Sequence, residues 1–257
     1  MTLPASCRSV HSRHGRLLPH LTLNGAEQMA LDALLLQQCW TGGHRQPVLR
    51  FYGWNRPSLS LGRHQREIPE AWRSLARTGE LDLLRRPSGG GAVLHAGGLT
   101  YALVWPEAPR QKREAYRQVN HWLTAGFAKL GVSLNSGVAH AEAGTMNCFA
   151  RSTAADLVDR QGTKRIGSAQ FWQHGNLLQH GEIPLNSPAD LWQAVFGTDP
   201  PQWRPSAPDA SAVETALISS FSEGLSKQDW ADQPLSSEER TLMQQGAERY
   251  RLDASAL

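Results

Sequence analysis

Cysteine is scarce in this 257-residue chain, with only Cys7, Cys39 and Cys148. An odd, sparse set does not build a disulfide framework and fits a reducing compartment. No Cys-x-x-Cys pair and no His-x-x-x-His spacing occurs, so no zinc site is expected. The ten histidines are scattered, and His174 and His180, six apart, do not share a helical face. Charge excess is also small: 26 basic against 23 acidic residues leave a net +3. That excludes a strong electrostatic footprint, so neither nucleic acid nor membrane is expected as a partner. Apolar runs such as Leu34-Leu35-Leu36 fall far below the roughly 18 residues of a membrane span. Acidic residues are missing from Met1 to Gly25, which holds Arg8, Arg13 and Arg16. No apolar h-region follows, so a secretory signal is not expected. A transit peptide and a disordered basic tail over residues 1–20 both fit, and the tail is the expectation.

What remains is a composition that packs. Hydrophobic residues are 40% and charged residues 19%, which supports a folded core over residues 21–257. Helices are expected over Asn24–Trp40, 67–79, Arg113–Leu130, 210–225 and 236–250. The first carries an Asn24/Glu27 capping box, an apolar face of Met29, Ala33, Leu36 and Trp40, and Gly42-Gly43 as its stop. Strands are expected at Val48–Tyr52, Ser58–Leu61, Leu81–Arg86 and Gly175–Ile183. Two hairpins are read as well. One pairs Ala92–His95 with Leu99–Trp105 around a glycine-rich turn. The other pairs Asp156–Val158 with Lys164–Phe171. The Pro/Asp-rich stretch Asp199–Pro208 sets off a helical tail. No repeat is visible, and the element order indicates an α+β fold with a mixed β-sheet and packed helices.

Two segments carry chemistry. The first is Arg85-Arg86-Pro87-Ser88-Gly89-Gly90-Gly91-Ala92-Val93-Leu94-His95. Three glycines after a strand let backbone N–H groups approach a ligand, and two arginines supply fixed charge for a phosphate or carboxylate. A plain glycine turn would read the same. The segment is neither a Walker A loop nor a dinucleotide fingerprint. The second is Gly162-Thr163-Lys164-Arg165-Ile166-Gly167-Ser168-Ala169-Gln170, continuing to Gln179-His180-Gly181-Glu182-Ile183. Its lysine either reaches a reacting carbonyl or decorates an exposed edge.

Together these segments resemble the signature of the biotin/lipoate/octanoate protein ligase and transferase superfamily. Leu49–Trp54 and Leu59–Gln65 resemble the family's opening strands, so the likeness covers roughly residues 24–250. It implies a fold similar to the biotin protein ligase catalytic domain. It also implies substrate-binding roles for Arg86, Ser88, Gly89, Gly90, Gly91, His95, Gly167, Ser168 and Ala169, and catalytic roles for Cys148 and Lys164.

Two chemistries remain within the family. Ligases adenylate a free acid with ATP and magnesium. Octanoyltransferases pass the acyl group from acyl carrier protein through a cysteine thioester, without a cofactor. Cys148, 16 residues before Lys164 in Asn147-Cys148-Phe149-Ala150, resembles the cysteine-loop octanoyltransferases. An ammonium nearby favours a thiolate, the nucleophilic form. Outside that context a lone cysteine is a small core residue, as Cys39 is expected to be. Leu99-Thr100-Tyr101, the missing asparagine before Asp156 and the lack of room for an accessory domain are transferase-like. Gly91 is ligase-like, since the transferase branch often has arginine there. The expectation is a monomeric, cytoplasmic octanoyltransferase serving a lipoyl-domain lysine, such as that of the glycine-cleavage H protein. An ATP-dependent lipoate ligase, a lipoyl or octanoyl amidotransferase and, least of all, a non-catalytic acyl-binding homologue stay as alternatives.

Overall fold

The computed structural model describes residues 14–41, 45–137, 146–150, 152–223 and 229–253. Its frame is a mixed eight-stranded sheet built from β1 (His14–Leu23), β2 (Val48–Trp54), β6 (Gly98–Trp105), β7 (Asn135–Ser136), β8 (Leu157–Val158), β9 (Lys164–Gln173), β10 (Asn176–Pro184) and β11 (Asp229–Asp232). The order is β11-β1-β2-β6-β10-β9-β8-β7. The β11-β1-β2 edge is parallel, and every other pair is antiparallel. A separate three-stranded sheet orders β4 (Asp82–Arg85), β3 (Ser58–Leu61) and β5 (Val93–His95).

Period-2 alternation sends successive side chains of each strand to opposite faces. On β2, Val48 and Tyr52 join the core under α1 (Gly25–Thr41) and α6 (Ser237–Ala247). Leu49 and Phe51 join the opposite core, with Trp122, Phe127 and Leu217 of α3 (Lys112–Lys129) and α5 (Ala210–Glu223). Helices therefore cover both faces, giving the mixed α+β fold. A third core packs the small sheet against α2 (Glu70–Arg77), α4 (Ala189–Phe196) and Phe149.

The capping box at α1 is present: Glu27 N donates to Asn24 Oδ1 at 3.0 Å, and Asn24 N to Glu27 Oε2 at 3.4 Å. Its glycine stop, Gly42-Gly43, lies outside the described residues. The β8–β9 hairpin is also formed, turning at Gly162 with φ +81°.

Three expectations are corrected. Residues 14–20 are not tail but part of β1. Arg16, counted toward a basic tail, is buried and makes a bidentate pair with Glu239 of α6 at 2.7 and 2.9 Å. A buried guanidinium needs such a partner, and this one lies 223 residues away, out of reach of local sequence reading. Residues 1–13, with Cys7, lie outside the described residues. Ala92–His95 and Leu99–Trp105 are not a hairpin. β5 pairs with β3 while β6 pairs with β2 and β10. The link turns at Gly97, φ +68°, where a Cβ would sit 2.1 Å from the Asn186 carbonyl. The glycine there lets the chain cross from one sheet to the other. The C-terminal helices are no tail either, since α5 and α6 each supply a core.

Candidate active site

The two sheets meet at a cleft with about 440 Å³ of empty space, its open mouth included. The turn after β4 supplies the glycine loop. A 3-10 turn, Cys148–Ala150, supplies the cysteine. β9 supplies Lys164 at its start and Gly167, Ser168 and Ala169 further along.

The cysteine turn is stitched to the glycine loop by backbone. Ala92 N donates to Met146 O at 2.8 Å, and Cys148 N donates to Ala92 O at 3.0 Å. Asn147 Oδ1 accepts from Phe149 N at 2.8 Å and closes the turn. Gly91 is needed for this contact, because a Cβ there would lie 2.7 Å from the Met146 carbonyl oxygen.

Lys164 is buried, yet its Nζ meets three acceptors. It donates to Cys148 O at 2.7 Å, lies 3.5 Å from Cys148 Sγ, and pairs with Asp156 Oδ1 at 3.0 Å. The other Asp156 oxygen accepts from Thr153 N and Oγ1 at 2.7 and 3.0 Å, which fixes the carboxylate. Gly167 leaves room for the lysine: a Cβ there would be 3.0 Å from Lys164 Cε and 3.2 Å from Phe149 Cζ. Cys148 is partly exposed and faces the cleft.

Arg86, Gly89, Gly90, His95, Gly167, Ser168 and Ala169 line the cleft with Cys148. Their chemistry differs from expectation at the arginines. Arg86 is buried and donates to the carbonyls of Ser60, Gly89 and Gly91, each at 2.7 Å. Arg85 donates to the carbonyls of Gly62 and Gln65 at 3.1 and 2.6 Å. Both guanidinium groups brace loops instead of standing open to an anion. Burial pushes the Arg86 pKa down, opposed by its closeness to Cys148. Because the Gly89 carbonyl turns toward Arg86, peptide planarity aims the next N–H, that of Gly90, away from it.

Ser88 and His95 also spend their polar atoms inside the wall. Ser88 Oγ meets His180 Nε2 at 2.6 Å, and His180 Nδ1 meets Asp32 Oδ2 at 3.0 Å. Asp32 is held in turn by Arg50 at 2.9 Å and the Tyr52 hydroxyl at 3.1 Å. Burial, then the neighbouring Asp32, drives the Tyr52 pKa well up. His95 Nδ1 meets Glu182 Oε2 at 2.7 Å and Nε2 meets Ser60 Oγ at 2.8 Å, while Trp54 stacks on the ring at 3.9 Å. Burial lowers the His95 pKa against the pull of Glu182, so the ring is neutral at pH 7. The Glu182 carboxylate can only accept, which places the ring proton on Nδ1 and leaves Nε2 to accept from Ser60 Oγ, itself a 3.3 Å acceptor for Arg86 Nη1. Both relays satisfy themselves, so carbon faces the cleft although the wall is rich in polar residue types.

His180, Glu182, Asp32, Ser60 and Asp156 are the residues that sequence reading left without a role. Signals existed: His180 and Glu182 lie two apart on one strand face, and Asp32 is a lone charge inside an apolar helix. Ser88, Gly91 and Lys164 stand behind the cleft wall instead of on it. Lys164 lines a second hollow, shared with Phe149 and Trp192.

The lipoyl protein ligase A/B catalytic domain family matches residues 24–230. The chain belongs to this family. Octanoyltransferase LipM of Carboxydothermus hydrogenoformans is 36% identical over 181 residues, covering 68% of this chain and 66% of that protein. LipM of Geobacillus kaustophilus is 36% identical over 184 residues, covering 66% and 65%. The chain thus spans just under two thirds of the length of these curated relatives. Among solved structures, protein Ta0514 of T. acidophilum with bound lipoic acid superposes with a TM-score of 0.77 at 22% identity, over 92% of this chain and 95% of that one. Lipoate-protein ligase A bound with ATP gives 0.73 at 23% identity, over 92% and 95%. At these identities the two structures establish a shared fold. Among the described residues of this lipoyl-ligase-family chain, no helix is long and apolar enough to cross a membrane.

Proposed function

We propose that this chain is an octanoyltransferase of lipoate biosynthesis, acting in the cytoplasm without ATP. The acyl group comes from acyl carrier protein and goes to the lysine of a lipoyl-domain protein, such as glycine-cleavage H protein. The observation that carries the reading is Lys164 Nζ 3.5 Å from Cys148 Sγ, beside the carbon-lined cleft.

In the first step Cys148 Sγ attacks the carrier thioester. A new C–S bond forms, the carrier C–S bond breaks, and the carrier thiol leaves with the proton that Cys148 loses. Lys164, held by Asp156, supports negative charge on sulfur. The Gly90 N–H is the candidate donor to the carbonyl oxygen as it gains charge. In the second step the acceptor amine attacks the S-acyl carbon. A C–N bond forms, the bond to Sγ breaks, and the amine proton returns to sulfur. Thioester exchange is nearly balanced and amide formation runs downhill, so the scheme needs no nucleotide. The relatives named octanoyltransferase LipM support it.

Omitting ATP tests the proposal. Transfer from octanoyl-carrier protein to a lipoyl domain proceeds at full rate without nucleotide. A strict requirement for ATP and free octanoate overturns it in favour of ligase chemistry.

A further inference from the structure

Lys164 forms a partition between two hollows. The cleft on the Cys148 side is the proposed acyl site. The second holds about 770 Å³ of empty space, open mouth included, and is walled by Lys164 and by Asn147 and Phe149, the neighbours of Cys148 in sequence. An acyl carbon bonded to Sγ sits at this partition, since Sγ and Lys164 Nζ are 3.5 Å apart. With the acyl chain in the first hollow, the second gives an incoming amine its own approach.

Its lining suits one kind of visitor. Phe149, Trp192 and Pro201 give apolar walls that match a lysyl methylene stem. Thr163 and Thr198 add hydroxyls. Asp199 is exposed on the lining and carries no ion pair among the described residues. The nearby Asp159, by contrast, is spent on Arg165 at 2.7 Å.

We infer that this second groove is the entry for the acceptor's lysyl side chain, carried on an exposed turn, with Asp199 capturing its ammonium at the rim. The inference rests on the proposed thioester chemistry. The ammonium sheds its proton before attack, so Asp199 acts on capture and not on bond formation. Its removal raises KM for the acceptor and leaves kcat and S-acylation alone.

The test is a single-turnover chase. The full chain is acylated with octanoyl-carrier protein, then mixed with a lipoyl domain over a range of concentrations. Asp199→Asn is expected to raise the half-saturating acceptor concentration about threefold, the scale of one solvent-screened charge pair. Asp199→Lys raises it about tenfold or more through repulsion. Thr198→Trp, which fills the groove, slows the chase at every concentration. S-acylation stays at the wild-type rate in all three. A wild-type chase in Asp199→Lys overturns the inference. So does a defect confined to S-acylation, which would place the carrier arm in the groove. A wild-type enzyme that forms no Cys148 adduct at all strikes the thioester chemistry itself and takes the inference with it.

Discussion

Cys39 and Cys148 are the same chemical group in opposite settings. Cys39 lies in the last turn of α1, in the core, where its thiol donates to Leu35 O at 3.5 Å. Burial pushes its pKa up to about 11, which keeps it a protonated, inert filler. Cys148 sits at the start of a turn tied to Ala92 by two backbone hydrogen bonds, partly exposed, with an ammonium 3.5 Å from its sulfur. On the proposed chemistry, what sets the two thiols apart is what surrounds each sulfur. Those surroundings come from segments far apart in sequence.

The comparison breaks first at the cysteines themselves. Cys148→Ala is expected to lower transfer about 10³-fold or more, as loss of a nucleophile does. Cys39→Ala leaves the rate within about twofold and costs on the order of 1 kcal/mol in a urea melt. Equal losses in both variants would show that Cys148 matters only for folding. Next comes the ammonium. Lys164→Ala should slow S-acylation by about 10²–10³-fold, the range for a group that assists proton and charge movement. Iodoacetamide labelling of Cys148 should slow in the same variant, which a purely structural lysine would not cause.

Gly91 sharpens the contrast at smaller scale. Gly91→Ala pushes a Cβ against the Met146 carbonyl, so the cysteine turn must shift. A stability loss of about 1–3 kcal/mol, typical of overpacking, should accompany a fall of about tenfold in S-acylation; an unchanged rate would mean the turn tolerates displacement. The smallest effect concerns Cys39 in alkali. Its folded pKa is raised, so the folded state binds more protons than the unfolded one above about pH 9, and stability falls as pH rises toward about 11. Cys39→Ala should flatten that slope in alkaline melts.

Much of this was legible in the chain. The capping box at Asn24 and Glu27, the Trp122 face of α3 and the β8–β9 hairpin follow local rules, because their partners are a few residues away. The pairing of Cys148 with Lys164 was legible through their motifs. The edge strand β1 was not, because its burial depends on Arg16 finding Glu239 across the whole chain. What the arginine pair bonds to was not legible for a related reason. Sequence shows positive charge but not the carbonyls that consume it. The relays through His180 and Glu182 stayed hidden because their partners, Asp32, Ser88, Ser60 and His95, come from four other elements or loops.

The most direct test of the central claim is intact-mass and peptide-mapping spectrometry after mixing the chain with octanoyl-carrier protein, nucleotide-free. One octanoyl adduct on the peptide containing Cys148, none on the Cys39 peptide, and its loss on adding a lipoyl domain is the predicted result. Octanoyl transfer to the lipoyl domain by Cys148→Ala at the wild-type rate, with no adduct on any cysteine, would contradict it.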